Sequence, residues 1–326
     1  MKNAVLPIEP LSEESHRPFW SVMIPAYNRV DYLKRTLESV LAQNIPPEQM
    51  QIEVIDNAST LSDIAALVRE IAGERVSCYR QPYNVGMAEN WTTCVQRAKG
   101  YWVHILHDDD IVLPGFYKAY QQVIEQTETG MVVGQAVIVD EQENWLNISP
   151  YLENGEGVVK NAQQVLSGMS LLTCPAVVVA RKSYETLGGF NRNLIHAMDW
   201  EMWVRVATYG QVGWVNKPYC LYRVHSQSGT KLATLKADTI KDVLKGIKII
   251  ENYFPTTDKR EEFYKSIYYY LGRACEGYSC QFALEKKYKY AIIHELFMLR
   301  LLPYKWHALG SFLLWLKMML GSWVKG

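Results

Sequence analysis

Three carboxylates stand side by side at Asp108, Asp109 and Asp110, directly after the apolar run of residues 102–106. At neutral pH such groups repel one another unless a cation or hydrogen-bond donors sit among them. A divalent metal ligated by carboxylates, with diphosphate oxygens and water in its other positions, is one solution. An Asp-rich turn leading into the helix that Pro114 opens is the other. Two more apolar runs end in polar clusters, Ala26-Tyr27-Asn28-Arg29 and Asp56-Asn57-Ala58-Ser59. One such cluster is ordinary turn chemistry. Three of them, at the carboxyl ends of strands, mark the edge where open parallel sheets hold ligands. Neither a GxGxxG after the first strand nor a GxxxxGK followed by Ser or Thr occurs, which removes the usual dinucleotide and P-loop readings.

The elements that must position these clusters follow from hydrophobic periodicity. Short apolar runs alternating with amphipathic stretches predict an α/β fold with a mostly parallel, Rossmann-like sheet. Strands are expected at residues 20–25, 52–55, 75–80, 102–106, 131–139, 175–180 and 219–225. Helices are expected at 31–43, capped by Asp31, and at 62–72, 86–99, from Pro114 onward and at 199–209. Residues 141–157 read as a polar loop or short hairpin. After about residue 232 strand signals vanish, and helices are expected at 232–253, 259–283, 285–301 and 306–323. The expected organisation is an N-terminal tail over 1–18, an α/β domain over 19–229 and a helical region over 230–326.

Charge and cysteine usage narrow the function. The chain has 326 residues with 34 basic and 34 acidic side chains. Zero net charge excludes a general nucleic-acid binder, which needs a basic excess to displace counterions. Cys78, Cys94, Cys174, Cys220, Cys275 and Cys280 form no CxxC pair and no zinc-spaced cluster. Dispersed in this way they predict reduced, buried thiols and a cytosolic protein. Residues 1–18 carry Glu9, Glu13, Glu14 and three prolines, unlike a signal peptide or anchor. No run reaches the roughly eighteen apolar residues that a spanning helix needs.

Residues 20–114 resemble the inverting family 2 glycosyltransferases, which have the GT-A nucleotide-sugar fold. The resemblance is carried by Ser21-Val-Met-Ile-Pro-Ala-Tyr-Asn-Arg29, Glu53-Val-Ile-Asp-Asn-Ala-Ser59, Asn84-Val-Gly-Met-Ala-Glu-Asn90 and Leu106-His-Asp-Asp-Asp-Ile-Val-Leu-Pro114. It continues through Leu187-Gly-Gly-Phe190, Asp199-Trp-Glu-Met-Trp-Val-Arg205 and Tyr222-Arg-Val-His225. It implies that Pro25, Ala26, Tyr27 and Arg29 line the base and ribose pocket, and that Asp56 accepts the imide N–H of uracil or thymine. Asn84 and Gly86 would close over the nucleotide, and Asp108 would hold the ribose hydroxyls. Asp109, helped by Asp110, would bind a Mn2+ or Mg2+ ion that bridges the diphosphate, with His225 at the metal or the leaving diphosphate. Many family members have Asp where this chain has His107, so the metal role rests on the two later carboxylates.

By the same resemblance Asp199 is the catalytic base. Inversion is an in-line displacement by an acceptor hydroxyl, and a single carboxylate near that hydroxyl suffices to take its proton. A helix cap is the plainer reading of Asp199. Gly188, Gly189 and Trp203 would border the donor-sugar or acceptor pocket, while Trp200 reads as core. The partners implied are a UDP- or dTDP-sugar donor and a glycan or lipid-linked acceptor, as in bacterial O-antigen or capsule synthesis. A sugar-phosphate nucleotidyltransferase would want a Gly-rich basic loop after the first strand, and residues 26–29 are not one. A catalytically inactive, nucleotide-sugar-binding subunit is opposed by the joint presence of Asp56, Asp109, Asp199 and His225.

In the last segment Leu309, Phe312, Leu313, Leu316, Leu320 and Trp323 share one helical face, flanked by Lys305 and Lys325. Too short to span and interrupted by Lys317, it reads as a helix lying in a membrane interface, or packed on the protein. The first reading places the chain on the cytoplasmic face of the inner membrane.

Overall fold

The computed structural model describes residues 4–12, 17–168, 172–225 and 233–302. The chain divides into two compact units, Met1–Leu166 with Leu171–His225, and Ser167–Ser170 with Ser226–Gly326.

The first unit is built on one mixed sheet. Its strands are β1 (Trp20–Ala26), β2 (Met50–Asp56), β3 (Ser77–Arg80), β4 (Trp102–Ile105), β5 (Ile111–Val112), β6 (Thr129–Val139), β7 (Trp145–Ile148), β8 (Gly157–Val158), β9 (Val177–Ala180) and β10 (Gln211–Arg223). They run in the order β3-β2-β1-β4-β9-β6-β10-β5, with β7 on β6 and β8 on β10. The pairs β3–β2, β2–β1, β1–β4 and β6–β10 are parallel, whereas β9 is antiparallel to both β4 and β6. Two reversals cancel. The carboxyl ends of β1, β2, β4, β6 and β10 therefore share one edge, and all three polar clusters stand there.

Helices α1 (Leu33–Leu41), α2 (Ile64–Ala72), α3 (Met87–Arg97), α4 (Phe116–Gln126), α5 (Ala162–Gly168), α6 (Arg181–Leu187) and α7 (Met198–Tyr209) connect the strands. Leu33 and Leu37 of α1 and Ile64 and Val68 of α2 bury themselves with Val22, Ile24 and Val54 in one apolar cluster. The β1 strand is buried along its whole length, which is why it reads as a continuous apolar run. Asp63 caps α2 by accepting the Ala66 N–H at 3.0 Å. The expected cap of α1 is a correction: the helix starts after Tyr32 without a side-chain cap, leaving Asp31 exposed in the preceding turn.

Three further features have physical causes. The last strand begins at Gln211 rather than at residue 219, because Pro218 sits at register shifts on β10 that interrupt the sequence pattern. The polar insertion takes the hairpin form, with β7 folding back antiparallel on β6. Residues 4–9, expected as a tail, pack on the domain. Ile8 is buried, Val5 bridges Asn191, and the carbonyl of Leu6 accepts the Gly189 N–H at 2.8 Å.

The second unit is helical, with α8 (Asp238–Ile250), α9 (Thr257–Leu284) and α10 (Tyr288–Leu301). Thr256 caps α9. Phe282 and Ala291 bury the seam between α9 and α10, and the Ser279 hydroxyl donates to Glu295 Oε2 across it at 2.9 Å. No helix among the described residues is long and apolar enough to cross a membrane. The helix expected at 306–323 lies outside the described residues.

Candidate active site

The loops after β1 and β2 are stitched together before any ligand is considered. Asn28 has φ 53°, its N–H donates to Ser59 Oγ at 2.8 Å, and its Oδ1 accepts the N–H groups of Thr60 and Leu61. The Asp56 carboxylate, 1% exposed, accepts the Ser59 N–H at 2.9 Å and pairs with Arg80 across β3. Asn57 continues the seam, accepting the Val85 N–H at 2.9 Å and donating to Asn84 Oδ1 at 3.1 Å. Asn84 Oδ1 also accepts the Gly86 N–H, which holds the loop ahead of α3 against the β2 end. Pro25 and Ala26 complete β1 beneath this seam, and Tyr27 stands 45% exposed above it.

The acidic corner follows β4. Arg29 pairs with both Asp108 and Asp109. His225 Nε2 lies 3.0 Å from Asp109 Oδ2, and His107 Nδ1 lies 3.2 Å from Asp110 Oδ2. The Arg223 N–H donates to Asp110 Oδ1 at 2.9 Å, and its Nε donates to the Asp109 carbonyl at 3.0 Å. Thr36 of α1 donates to the Asp110 carbonyl at 2.8 Å. The corner is thus assembled from β1, α1, β4 and the end of β10.

Burial separates the three carboxylates electrically. Burial, with Asp109 as a charged neighbour, pushes Asp108 up to about 7. Burial also pushes Asp110 up to about 6. Burial works against Asp109 as well, but His225, His107 and Arg29 together hold it below the usual carboxylate range. One ligand atom each from His107, Asp109 and Asp110 lies within 4.8 Å of the others. This donor set of one imidazole and two carboxylates suits a divalent cation. Within that set the His107 imidazole already meets Asp110 Oδ2, and Cys174 lies beside the same ring.

Asp199 is half-buried in the first turn of α7, where its Oδ1 accepts the Trp200 N–H at 2.7 Å. Burial raises the Tyr222 phenol, and the charges of Asp110, Asp109 and Asp199 raise it further. Cys174, raised by its own burial, feels His107, Asp199 and Asp110 together.

The expected pocket wall is filled by the protein itself. Trp203 is 3% exposed, its ring edge-on to Phe190 at 6.2 Å, and Trp200 donates its indole N–H to the Leu166 carbonyl. Gly188 has φ +82°, and a Cβ there would sit 2.5 Å from Val5 Cγ1. At Gly189 a Cβ would sit 2.7 Å from Thr92 Cγ2. These glycines answer to internal packing, and Arg205 ties the turn down by donating to the Leu187 and Gly189 carbonyls.

Sequence reasoning also missed participants. His107 entered it only as a departure from a motif, yet its ring lies with Asp109 and Asp110 in one cluster of ligand atoms within 4.8 Å of one another. Arg223 was one letter of a matched segment. Glu143 sat in an unanchored loop, but it pairs with both Arg35 and Arg223. Ion pairs made across 80 to 108 residues leave no local signal.

A mixed sheet with its polar loops at one carboxyl edge, an acidic corner after a central strand and helices on the flanks defines a GT-A nucleotide-sugar transferase fold. Crystal structures of S. aureus TarS share it. The 1–349 fragment in complex with UDP-GlcNAc has TM-score 0.64 and 14% identity, over 87% of this chain and 81% of that one. The family model for glycosyl transferase family 2 matches residues 21–188, and the chain belongs to that family. Among relatives, the chondroitin synthase of Pasteurella multocida is 25% identical over 235 residues, covering 71% of this chain and 23% of that protein. An uncharacterized glycosyltransferase of Haemophilus influenzae is 23% identical over 249 residues, covering 74% and 80%. The chain spans 62% and 35% of the length of two other relatives, from Mycobacterium tuberculosis and Rickettsia felis.

Proposed function

We propose that the protein moves a sugar from a UDP- or dTDP-sugar to an acceptor hydroxyl with inversion, using Asp199 as the base. The observation that carries this reading is the cluster of His107, Asp109 and Asp110 at the carboxyl edge of the sheet, with ligand atoms within 4.8 Å of one another. In it Asp56 and the β1 loop take the pyrimidine nucleoside, and Asp108 takes the ribose. Asp109 and Asp110, with His107 or His225, would hold a Mn2+ or Mg2+ ion. Such an ion, when bound, offsets the negative charge growing on the departing nucleoside diphosphate. Asp199 removes the proton of the attacking hydroxyl as the new bond forms, and its place in the first turn of α7 favours the ionised form a base needs. The UDP-GlcNAc complex of TarS supports a UDP-sugar donor. The chondroitin and hyaluronan synthases among the relatives support a glycan acceptor. A lipid-linked intermediate of a bacterial surface polysaccharide, met at the cytoplasmic face of the membrane, is the form of acceptor we favour.

Titration of UDP with and without Mn2+ tests the reading. Mn2+ should tighten binding, and Asp109→Ala should abolish that gain. Equal, metal-independent affinity in both proteins overturns the metal-assisted mechanism.

A further inference from the structure

The turn joining β6 to β7 is anchored from three directions. Asp140 Oδ1 accepts the N–H groups of Gln142 and Asn144 at 2.9 and 2.8 Å, and its Oδ2 accepts Asn144 Nδ2 at 2.9 Å. Glu143 bridges Arg35 of α1 at 2.9 Å and Arg223 of β10 at 3.0 Å. Arg223, 3% exposed, also donates to the carbonyls of Asp140 and Glu141. Because the N–H of Arg223 holds Asp110, the turn and the acidic corner share an anchor.

Directly beyond this turn stands Trp145, 69% exposed, followed by Leu146, 57% exposed. Strand register fixes their place. Trp145 pairs with Val139 and Val139 with Arg223, so the indole lies in one row with the residue that holds Asp110. Two strand spacings separate them, roughly 10 Å. Ile138 pairs with Asn147 but Val139 with Trp145, which leaves Leu146 as an extra residue in a bulge. Bulges re-aim side chains and gather next to active sites. This one breaks the alternation of β7 and turns two consecutive apolar side chains into solvent beside the strand end that holds Asp110.

We propose that Trp145 is the platform on which a sugar ring of the acceptor saccharide stacks. The proposal rests on the transferase reading. A pyranose ring has an apolar C–H face and a rim of hydroxyls, and the electron-rich face of an indole complements the first. Asn144 and Asn147, both exposed beside the pair, offer amides to the second. A membrane or protein surface would call for a broad apolar patch, and here the two apolar residues are bracketed by those amides. Anchoring through Glu143 and Arg223 keeps the platform in place, so little ordering is required when a weakly held saccharide arrives.

The test uses the full-length protein labelled with 15N at tryptophan indoles and asparagine side-chain amides, the Trp145 signal being identified with Trp145→Phe. Methyl glycosides of N-acetylglucosamine, galactose, glucuronic acid and rhamnose are titrated in the presence of UDP and Mn2+. At least one should shift the Trp145 signal saturably. Followed on the side-chain amides of Asn144 and Asn147, Trp145→Ala should bind that glycoside about tenfold more weakly and Trp145→Phe within about threefold. If no glycoside moves the Trp145 signal, or if Trp145→Ala binds as tightly as the parent, the platform is refuted. A separate UDP titration of the parent protein keeps the two claims apart, because failure to bind UDP would sink the donor site and not the platform.

Discussion

His225 and Asp109 lie 116 residues apart in the chain, and their side chains meet at 3.0 Å, Nε2 to Oδ2. That hydrogen bond, together with Arg29, keeps one carboxylate of the corner ionised while burial pushes its two neighbours toward protonation. His225→Ala should weaken Mn2+-dependent UDP binding by about 10- to 100-fold, the usual cost of losing a residue that orients a ligand. Calorimetric titration measures it, and an unchanged affinity would remove His225 from the site.

The raised carboxylates give the corner a pH signature. Their folded values, about 7 for Asp108 and about 6 for Asp110, lie above the ordinary value near 4, so the folded protein binds more protons than the unfolded chain in between. The stability they contribute is fully present below about pH 4 and is lost as pH rises through 6 and 7. A divalent cation reverses the sign, because it binds the ionised forms. The rise in Tm on adding Mn2+ should therefore be larger at pH 7.5 than at pH 5.5. Thermal melts at the two pH values check this, and an equal rise at both contradicts it.

Arg223 is a buried cation whose guanidinium reaches Glu143 and three backbone carbonyls. Arg223→Met should cost about 3 kcal/mol in urea unfolding, since it strands those acceptors. Glu143→Gln, at a partly exposed position, should cost under about 1 kcal/mol. Similar small losses for both would show that the anchor is not structural.

Gly189→Ala places a Cβ against the Thr92 side chain. Overpacking of this kind costs about 1–3 kcal/mol. Thr92→Ser, which deletes the clashing methyl, should recover part of the loss in the double variant, as read by chemical denaturation.

The central sheet and its polar carboxyl edge were legible because β1, β2 and β4 are buried along nearly all of their length and so read as short, mostly apolar runs with Asp or Asn at their ends or within three residues after them. Motif resemblance supplied what physical reading could not, the separate roles proposed for Asp56, Asp109 and Asp199. Other features left no local trace. Pro218 hid the first half of β10, and β5 is two residues long. The packing of Gly188 against Val5 depends on a segment that looked like a tail. The cluster of His107 with Asp110, and that of Glu143 with Arg35 and Arg223, follow from where the strands end, which only the folded chain determines.

Transfer by Asp199→Asn, measured beside its affinity for UDP, bears most directly on the mechanism. The amide keeps the shape of the side chain and removes its basicity. Turnover should fall by about 10²- to 10⁴-fold while UDP affinity stays within about twofold. Turnover equal to that of the parent protein would contradict the assignment of Asp199 as the base.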